Sequence, residues 1–309
     1  MILPKFVTLV EVGPRDGLQN EPETISTTDK LKFIEILSES GLKEIEVTSF
    51  VRPDQIPQLS DAALLANQLP SSHSVLYSAL VPNLKGLERA RSSGIKKIAV
   101  FTAASETFNQ KNIHASIQES LDRFKELIPE AQKIGMEIRG YISTGFVCPF
   151  EGDVPKEKVL EVAEKLLEMG IGQISIGDTI GAASPKDVEE TIGFLLAKIS
   201  AGKIALHFHD TYGTALANVY AALQLGITTF DSSAGGLGGC PFAPGAAGNI
   251  GTEDLIYFFH RMGIKTGVDL NKIFEASSFI SNLLKRPLSS RQWQRLRSQQ
   301  KGKNSGNGK

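Results

Sequence analysis

Short apolar runs rich in β-branched residues alternate along the chain with longer stretches whose apolar positions recur at three and four. The short runs predict strands at 7–12, 44–48, 75–80, 97–102, 137–143, 173–177, 203–209 and 228–232. The longer stretches predict helices, among them 30–40, 117–133, 157–169, 185–197 and 215–225. Boundary residues agree with this reading. Ser184 stands before Pro185 with acidic residues following, a cap ahead of a first-turn proline. Gly41, Gly94, Gly135, Gly170 and Gly226 each fall where a helix must end before the next strand. The strands are almost continuously apolar rather than alternating, which suits a parallel sheet covered on both faces.

Eight strand–helix repeats predict an α/β fold of the closed (β/α)8 type, a TIM barrel. The open doubly wound sheet is the rival, but it usually has about five or six strands. No Pro/Gly/Ser-rich linker divides the interior, so 1–290 reads as a single barrel domain, with extra C-terminal helices within 268–285. From 294 the sequence QRLRSQQKGKNSGNGK has almost no apolar content, and 291–309 is expected to be a disordered basic tail.

Composition narrows the function classes. Of 309 residues, 41% are hydrophobic and 22% charged, the balance of a soluble globular protein, and the formal net charge of -1 gives no reason to expect nucleic acid or membrane as a partner. Two cysteines, Cys148 and Cys240, are too few for a disulfide scaffold in a chain of this length, which points to a reducing compartment. The opening MILPKFVTLVEV enters a strand without a signal or transit pattern, so a cytoplasmic location is expected.

Polar residues gather where the predicted strands end, the catalytic face of such a barrel. Arg15 and Asp16 follow the first strand; Glu46, Thr48 and Ser49 end the second; Ser143 and Thr144 end the fifth; Ser175, Asp178 and Thr179 end the sixth. His207 and His209 end the seventh, and a glycine-rich loop carrying Cys240 and Asn249 follows the eighth. Residues two apart in a strand share a face, so His207 and His209 can hold one ion. With oxygen from Asp16 and Asn249, the set suits a six-coordinate divalent cation with positions left for substrate. Each residue has a plainer reading: a buried hydrogen-bonded histidine pair, a turn asparagine, an Arg15 ion pair with Asp16 or Glu46, a small apolar cysteine. Their convergence at one end of one barrel favours the site.

VEVGPRDGLQNE, TSFV, YSALVPNLKG, FTAASETFNQKN, CPFEGDV, SIGDTIG, HFHDTYG and GGLGGCPFAPGAAGN together span about residues 5 to 285. In these motifs the chain closely resembles the 3-hydroxy-3-methylglutaryl-CoA lyase family of a metal-dependent lyase and aldolase superfamily. The Arg-Asp and His-x-His motifs are shared across that superfamily, whereas the loop with Cys240 is more specific to the lyases.

The resemblance implies cleavage of 3-hydroxy-3-methylglutaryl-CoA to acetyl-CoA and acetoacetate, chemistry of leucine degradation and ketone-body formation. It implies a Mg²⁺ or Mn²⁺ ion on Asp16, His207, His209 and Asn249. Arg15 becomes the stabiliser of the enolate, Cys240 the donor of its proton, and either Asp16 or His207 the base for the hydroxyl. Arg15, Gln19, Ser49, Ser175 and Thr179 are expected to touch substrate, with Glu46, Asp178 and Glu253 behind them, Glu46 and Glu253 orienting Arg15 and the ligand loop. Asn20 and the 110–112 segment are candidate contacts for the CoA nucleotide. The expected partners are an acyl-CoA substrate and a second copy in a homodimer. Three other readings stand beside this one: a lyase for a longer 3-hydroxy-3-carboxymethyl acyl-CoA, a condensing synthase of the isopropylmalate or homocitrate type, and a catalytically silent binding barrel. The cysteine loop and the short stretch after residue 285 speak against the synthase, and the intact set of polar residues against the silent barrel.

Overall fold

The computed structural model describes residues 3–70, 74–239 and 248–306. Eight parallel strands close into a barrel: β1 (Thr8–Glu11), β2 (Glu44–Ser49), β3 (Leu76–Leu80), β4 (Lys97–Ala103), β5 (Glu137–Ser143), β6 (Gln173–Asp178), β7 (Ile204–Phe208) and β8 (Thr229–Ser232). Each strand pairs with its sequence neighbours, and β1 returns to β8 with Thr8 opposite Thr229 and Glu11 opposite Ser232. The predicted strands and their order are all present. Predicted β7 ran to residue 209; the ladder stops at Phe208, and His209 instead bridges antiparallel to Asn249.

Helices α1 (Thr27–Ser38), α2 (Ala62–Asn67), α3 (Leu84–Ser92), α4 (Glu106–Ile113), α5 (Ile117–Lys133), α6 (Lys156–Glu168), α7 (Pro185–Leu196), α8 (Ala215–Gln224) and α9 (Thr252–Arg261) surround the barrel, followed by α10 (Leu270–Leu284) and α11 (Arg291–Gly306). Ser184 accepts from the Asp187 N–H at the start of α7 and Ser116 from Glu119 at the start of α5, both as capping boxes. The five predicted helix-ending glycines all have positive φ. Between helices and strands lies one apolar layer, with Val7, Ile45, Ile98, Ile174, Leu206 and Phe230 facing Phe33, Phe124, Ile192 and Phe259.

The C-terminal expectation needs correcting. Arg291–Gly306 is helical, not a disordered tail. The anchor is Trp293, 1% exposed, which lies just before the polar run that suggested disorder. Its indole donates to Ser278 Oγ at 3.3 Å, and its N–H donates to the capping Ser290 Oγ. The Asp254 carboxylate accepts from the Arg291 and Gln292 N–H groups, matching an anion to a helix N-terminus. No described helix is long and apolar enough to cross a membrane.

Two buried carboxylates tie β8's exit to the rest of the barrel. Glu11 accepts from the N–H groups of Gly13 and Ala234 and from the Thr252 hydroxyl. Glu253 accepts from the Gly235 N–H and from Ser277 on α10. Burial pushes Glu11 up to about 7 and Glu253 up to about 8. Past this anchor the chain narrows to a neck. A Cβ on Gly248 would stand 2.4 Å from the Gly238 carbonyl oxygen, and both residues have left-handed φ, at 82° and 124°.

Two stability predictions follow from these contacts. Trp293→Ala removes a large buried side chain and should lower stability by about 3–5 kcal/mol, read as a fall in the urea midpoint. An unchanged midpoint would make α11 a mere appendage. For Glu253 the folded protein retains a proton that the unfolded chain releases above 4.5, so the stabilisation present at acid pH is lost as pH rises toward about 8. Glu253→Gln should therefore gain on the parent across that window, by up to about 1.4 kcal/mol per pH unit. A difference in stability that stays flat with pH would show the carboxyl to be ionised throughout.

Candidate active site

At the C-terminal end of the barrel opens a cavity of about 670 Å³. Arg15, Asp16, Gln19, Asn20, Tyr141, Ser175, Thr179, His207 and His209 are among the residues that line it. Pieces far apart in sequence meet there because every strand of a parallel barrel ends on the same face.

Arg15 and Asp16 sit on a single π-helical turn, Gly13–Gly17, directly after β1. The Val12 carbonyl accepts from the Arg15, Asp16 and Gly17 N–H groups, which aims both side chains inward. Arg15 Nε donates to Glu46 and Nη1 donates to Asp16 Oδ1 at 2.5 Å. Burial alone would lower the Arg15 pKa; the carboxylates of Glu46 and Asp16 outweigh it and raise the value, so the guanidinium stays charged. It lies over the Tyr141 ring, 5.4 Å from the centroid, and the Tyr141 hydroxyl donates to the second oxygen of Glu46 at 3.0 Å. Glu46 thus bridges Arg15 and Tyr141 at the barrel mouth.

Asp16, His207 and His209 offer ligand atoms that all lie within 4.8 Å of one another. Burial works to raise the Asp16 pKa, but Arg15, the two histidines and the Asn249 amide hold it down at about 2. Burial, with the neighbouring His207, lowers His209 to about 4, so its imidazole is neutral. His209 Nδ1 is buried and has no hydrogen-bond partner among the described residues. An anion, a neutral imidazole with an orphaned nitrogen and a second imidazole fit a divalent cation. Asn249 stands beside the group: its amide nitrogen donates to Asp16 Oδ2 at 2.8 Å and to the Leu237 carbonyl at 3.0 Å. In this structure it steadies Asp16 and ties the site to the root of the glycine loop.

Other expected contacts separate into groups. Gln19 and Thr179 reach the cavity wall, and Thr179 Oγ1 also accepts from the Thr144 N–H at 2.7 Å. Ser175 reaches it as well, but its hydroxyl donates to Asp231 at 2.8 Å. Ser49 is fully buried, lies outside the cavity lining and accepts from the Val51 N–H. Asp178 accepts from the Ala182 and Ala183 N–H groups and shapes the turn into α7; burial raises it to about 7. Glu253 accepts from the Gly235 N–H and from the Ser277 hydroxyl. Asn20 donates to the Gly239 carbonyl, and Asn112 lines the cavity. Cys240 lies outside the described residues. Cys148 is buried, with its sulfur 3.0 Å from Ser105 Oγ.

Sequence reasoning missed Asp231, Arg139 and Tyr141. Asp231 accepts from Arg139 Nη2 at 2.6 Å and lies 3.3 Å from His207 Nδ1. A signal was present: Arg139 and Asp231 are charges inside predicted strands, EIRGYIS and TTFDSS, next to apolar Ile138 and Phe230, and residues next to each other in a strand face opposite sides.

Comparison with known proteins fits this geometry. Residues 6–280 match the HMGL-like family. The hydroxymethylglutaryl-CoA lyase of Bacillus subtilis is 53% identical over 298 residues, covering 96% of this chain and 100% of that protein. The crystal structure of the B. subtilis lyase superposes with a TM-score of 0.95, over 96% of this chain and all of that one. An Acinetobacter baumannii lyase solved in complex with coenzyme A and 3-methylmalate superposes with a TM-score of 0.90 at 37% identity, covering 94% of this chain and 95% of that one. A barrel with this set of side chains at its mouth, matched over almost its whole length, belongs to the HMGL-like family.

Proposed function

We infer that this protein cleaves 3-hydroxy-3-methylglutaryl-CoA into acetyl-CoA and acetoacetate. The observation that carries the reading is the Arg15, Asp16, His207 and His209 cluster at the barrel mouth of a chain 53% identical to a hydroxymethylglutaryl-CoA lyase across that protein's full length. The coenzyme A held by the A. baumannii relative supports an acyl-CoA substrate.

The reaction takes a proton from the tertiary hydroxyl, breaks the adjacent C–C bond to leave the ketone of acetoacetate, and returns a proton to the carbon of the acetyl-CoA enolate. Asp16, His207 and His209, with Asn249 beside them, would hold a divalent cation, Mg²⁺ or Mn²⁺, which when bound acidifies the hydroxyl and orients the substrate oxygens. With its pKa near 2, Asp16 remains an anion and is better suited to holding that cation than to storing a proton. Arg15 meets the charge that develops on the thioester oxygen. Glu46 and Asp16 occupy Nε and Nη1, and Nη2 has no partner among the described residues. A guanidinium fixed before substrate arrives needs no reorganisation as charge forms. Cys240, carried between Gly238 and Gly248, is the proposed donor to the enolate carbon, by its position in the sequence.

Acetyl-CoA release from a panel of acyl-CoA substrates tests the reading. Cleavage of 3-hydroxy-3-methylglutaryl-CoA should exceed that of longer 3-hydroxy-3-carboxymethyl homologues, vanish on chelation and return with Mg²⁺ or Mn²⁺. Full activity in exhaustively chelated protein would remove the cation from the reaction. Arg15→Lys keeps the charge but loses the planar fork, and should lower kcat by roughly 10²–10³ while KM changes little. A near-normal kcat would leave Arg15 with only its ion pairs.

A further inference from the structure

We propose that Asp231, locked by Arg139 and Ser175, is the positioning residue that sets the tautomer of His207, so that Nε2 offers its lone pair to the cation. The proposal rests on the cation-site reading above. Asp231 on β8 stands opposite His207 on β7 in the strand register, and it is 2% exposed. Its two oxygens face three groups. Oδ1 accepts from Arg139 Nη2 at 2.6 Å, Oδ2 accepts from Ser175 Oγ at 2.8 Å, and His207 Nδ1 lies 3.3 Å from Oδ2. An ionised carboxylate only accepts, so the hydrogen of this contact belongs to Nδ1. Nε2 then carries the lone pair, and it faces Asp16 Oδ2 at 3.9 Å. That separation is too long for a hydrogen bond and suits two ligands of one ion.

In the companion histidine, His209, it is Nδ1 that is buried without a hydrogen-bond partner among the described residues. The two imidazoles therefore differ in which nitrogen is engaged: Nδ1 of His207 faces Asp231, whereas Nδ1 of His209 is left over. Arg139 is the reason Asp231 cannot turn. It crosses from β5 with 1% exposure, and its guanidinium lies over the Tyr141 ring, 5.2 Å from the centroid. A buried ion pair is weak evidence for stability, and a fixed orientation is what this one supplies to the site.

The substitution Asp231→Asn gives the idea a sharp form. Arg139 would keep the amide oxygen on its own side, which turns the amide NH₂ toward Ser175 and His207. Nδ1 must then accept, the hydrogen moves to Nε2, and the ligand atom is blocked. The test measures Mn²⁺ binding by calorimetry, and ¹⁵N shifts of the His207 ring in metal-free protein in mildly alkaline buffer. In the parent the proton should sit on Nδ1. In Asp231→Asn it should sit on Nε2, and the Mn²⁺ dissociation constant should rise about 10–100-fold. The parent spectrum decides the tautomer even if the variant does not fold. A parent His207 protonated on Nε2 would overturn the proposal, as would a variant that binds Mn²⁺ as tightly as the parent with its tautomer unchanged. A parent that binds no Mn²⁺ at all would remove the cation site itself, and the proposal with it.

Discussion

Charge placed inside the barrel has to be paired there, and the order of that pairing sets out the site. Lys97 and Glu44 pair at 2.7 Å where β4 and β2 begin. Arg139 and Asp231 pair at 2.6 Å midway up β5 and β8. Arg15 and Glu46 pair at the mouth. Transfer of a lone ion from water into such surroundings costs several kcal/mol, and losing one partner strands the other. Each pair therefore restricts the residues around it, and Tyr141, with both guanidinium groups over its ring and its hydroxyl on Glu46, couples the middle pair to the upper one.

Carboxylates in this barrel divide by what they meet. Asp16 faces cationic groups and an amide donor, and is held near 2. Asp178, Glu11 and Glu253 face mainly backbone N–H groups and hydroxyls in buried pockets, and rise to about 7 or 8. Desolvation is the largest influence on all four; a nearby positive charge is what reverses it. The first kind can bind a cation. The second kind fastens backbone turns at α7, after β1 and after β8, and so keeps the mouth in shape with less negative charge near neutral pH than ordinary carboxylates would carry.

Much of this was legible in the sequence. Eight apolar runs with helix-ending glycines between them led to the barrel because period and punctuation are local properties. Arg15, Asp16, His207 and His209 were legible because strand ends converge in this fold whatever the packing details. Asp231 and Arg139 were not. Their partner choice spans β5 to β8, and no spacing rule joins residues so distant in the chain. Ser49 lies outside the cavity lining for a smaller reason: a strand-end residue can turn toward its own backbone as readily as toward the cavity. Trp293 was overlooked because one large apolar side chain can dock a helix whose average composition is that of a tail.

The glycine pair at 238 and 248 has a consequence for how such an enzyme diversifies. Where two backbones touch with no room for a Cβ, the ends of the intervening segment are fixed by the barrel and not by that segment's own residues. Glu11, Glu253 and Asn249 complete the clamp from the barrel side. Substitutions or length changes in the stretch between, Cys240 apart, therefore need not disturb the strand register, because the cost of closing a loop grows only slowly with its length. The ion pairs inside the barrel lie outside that span and are untouched by such changes.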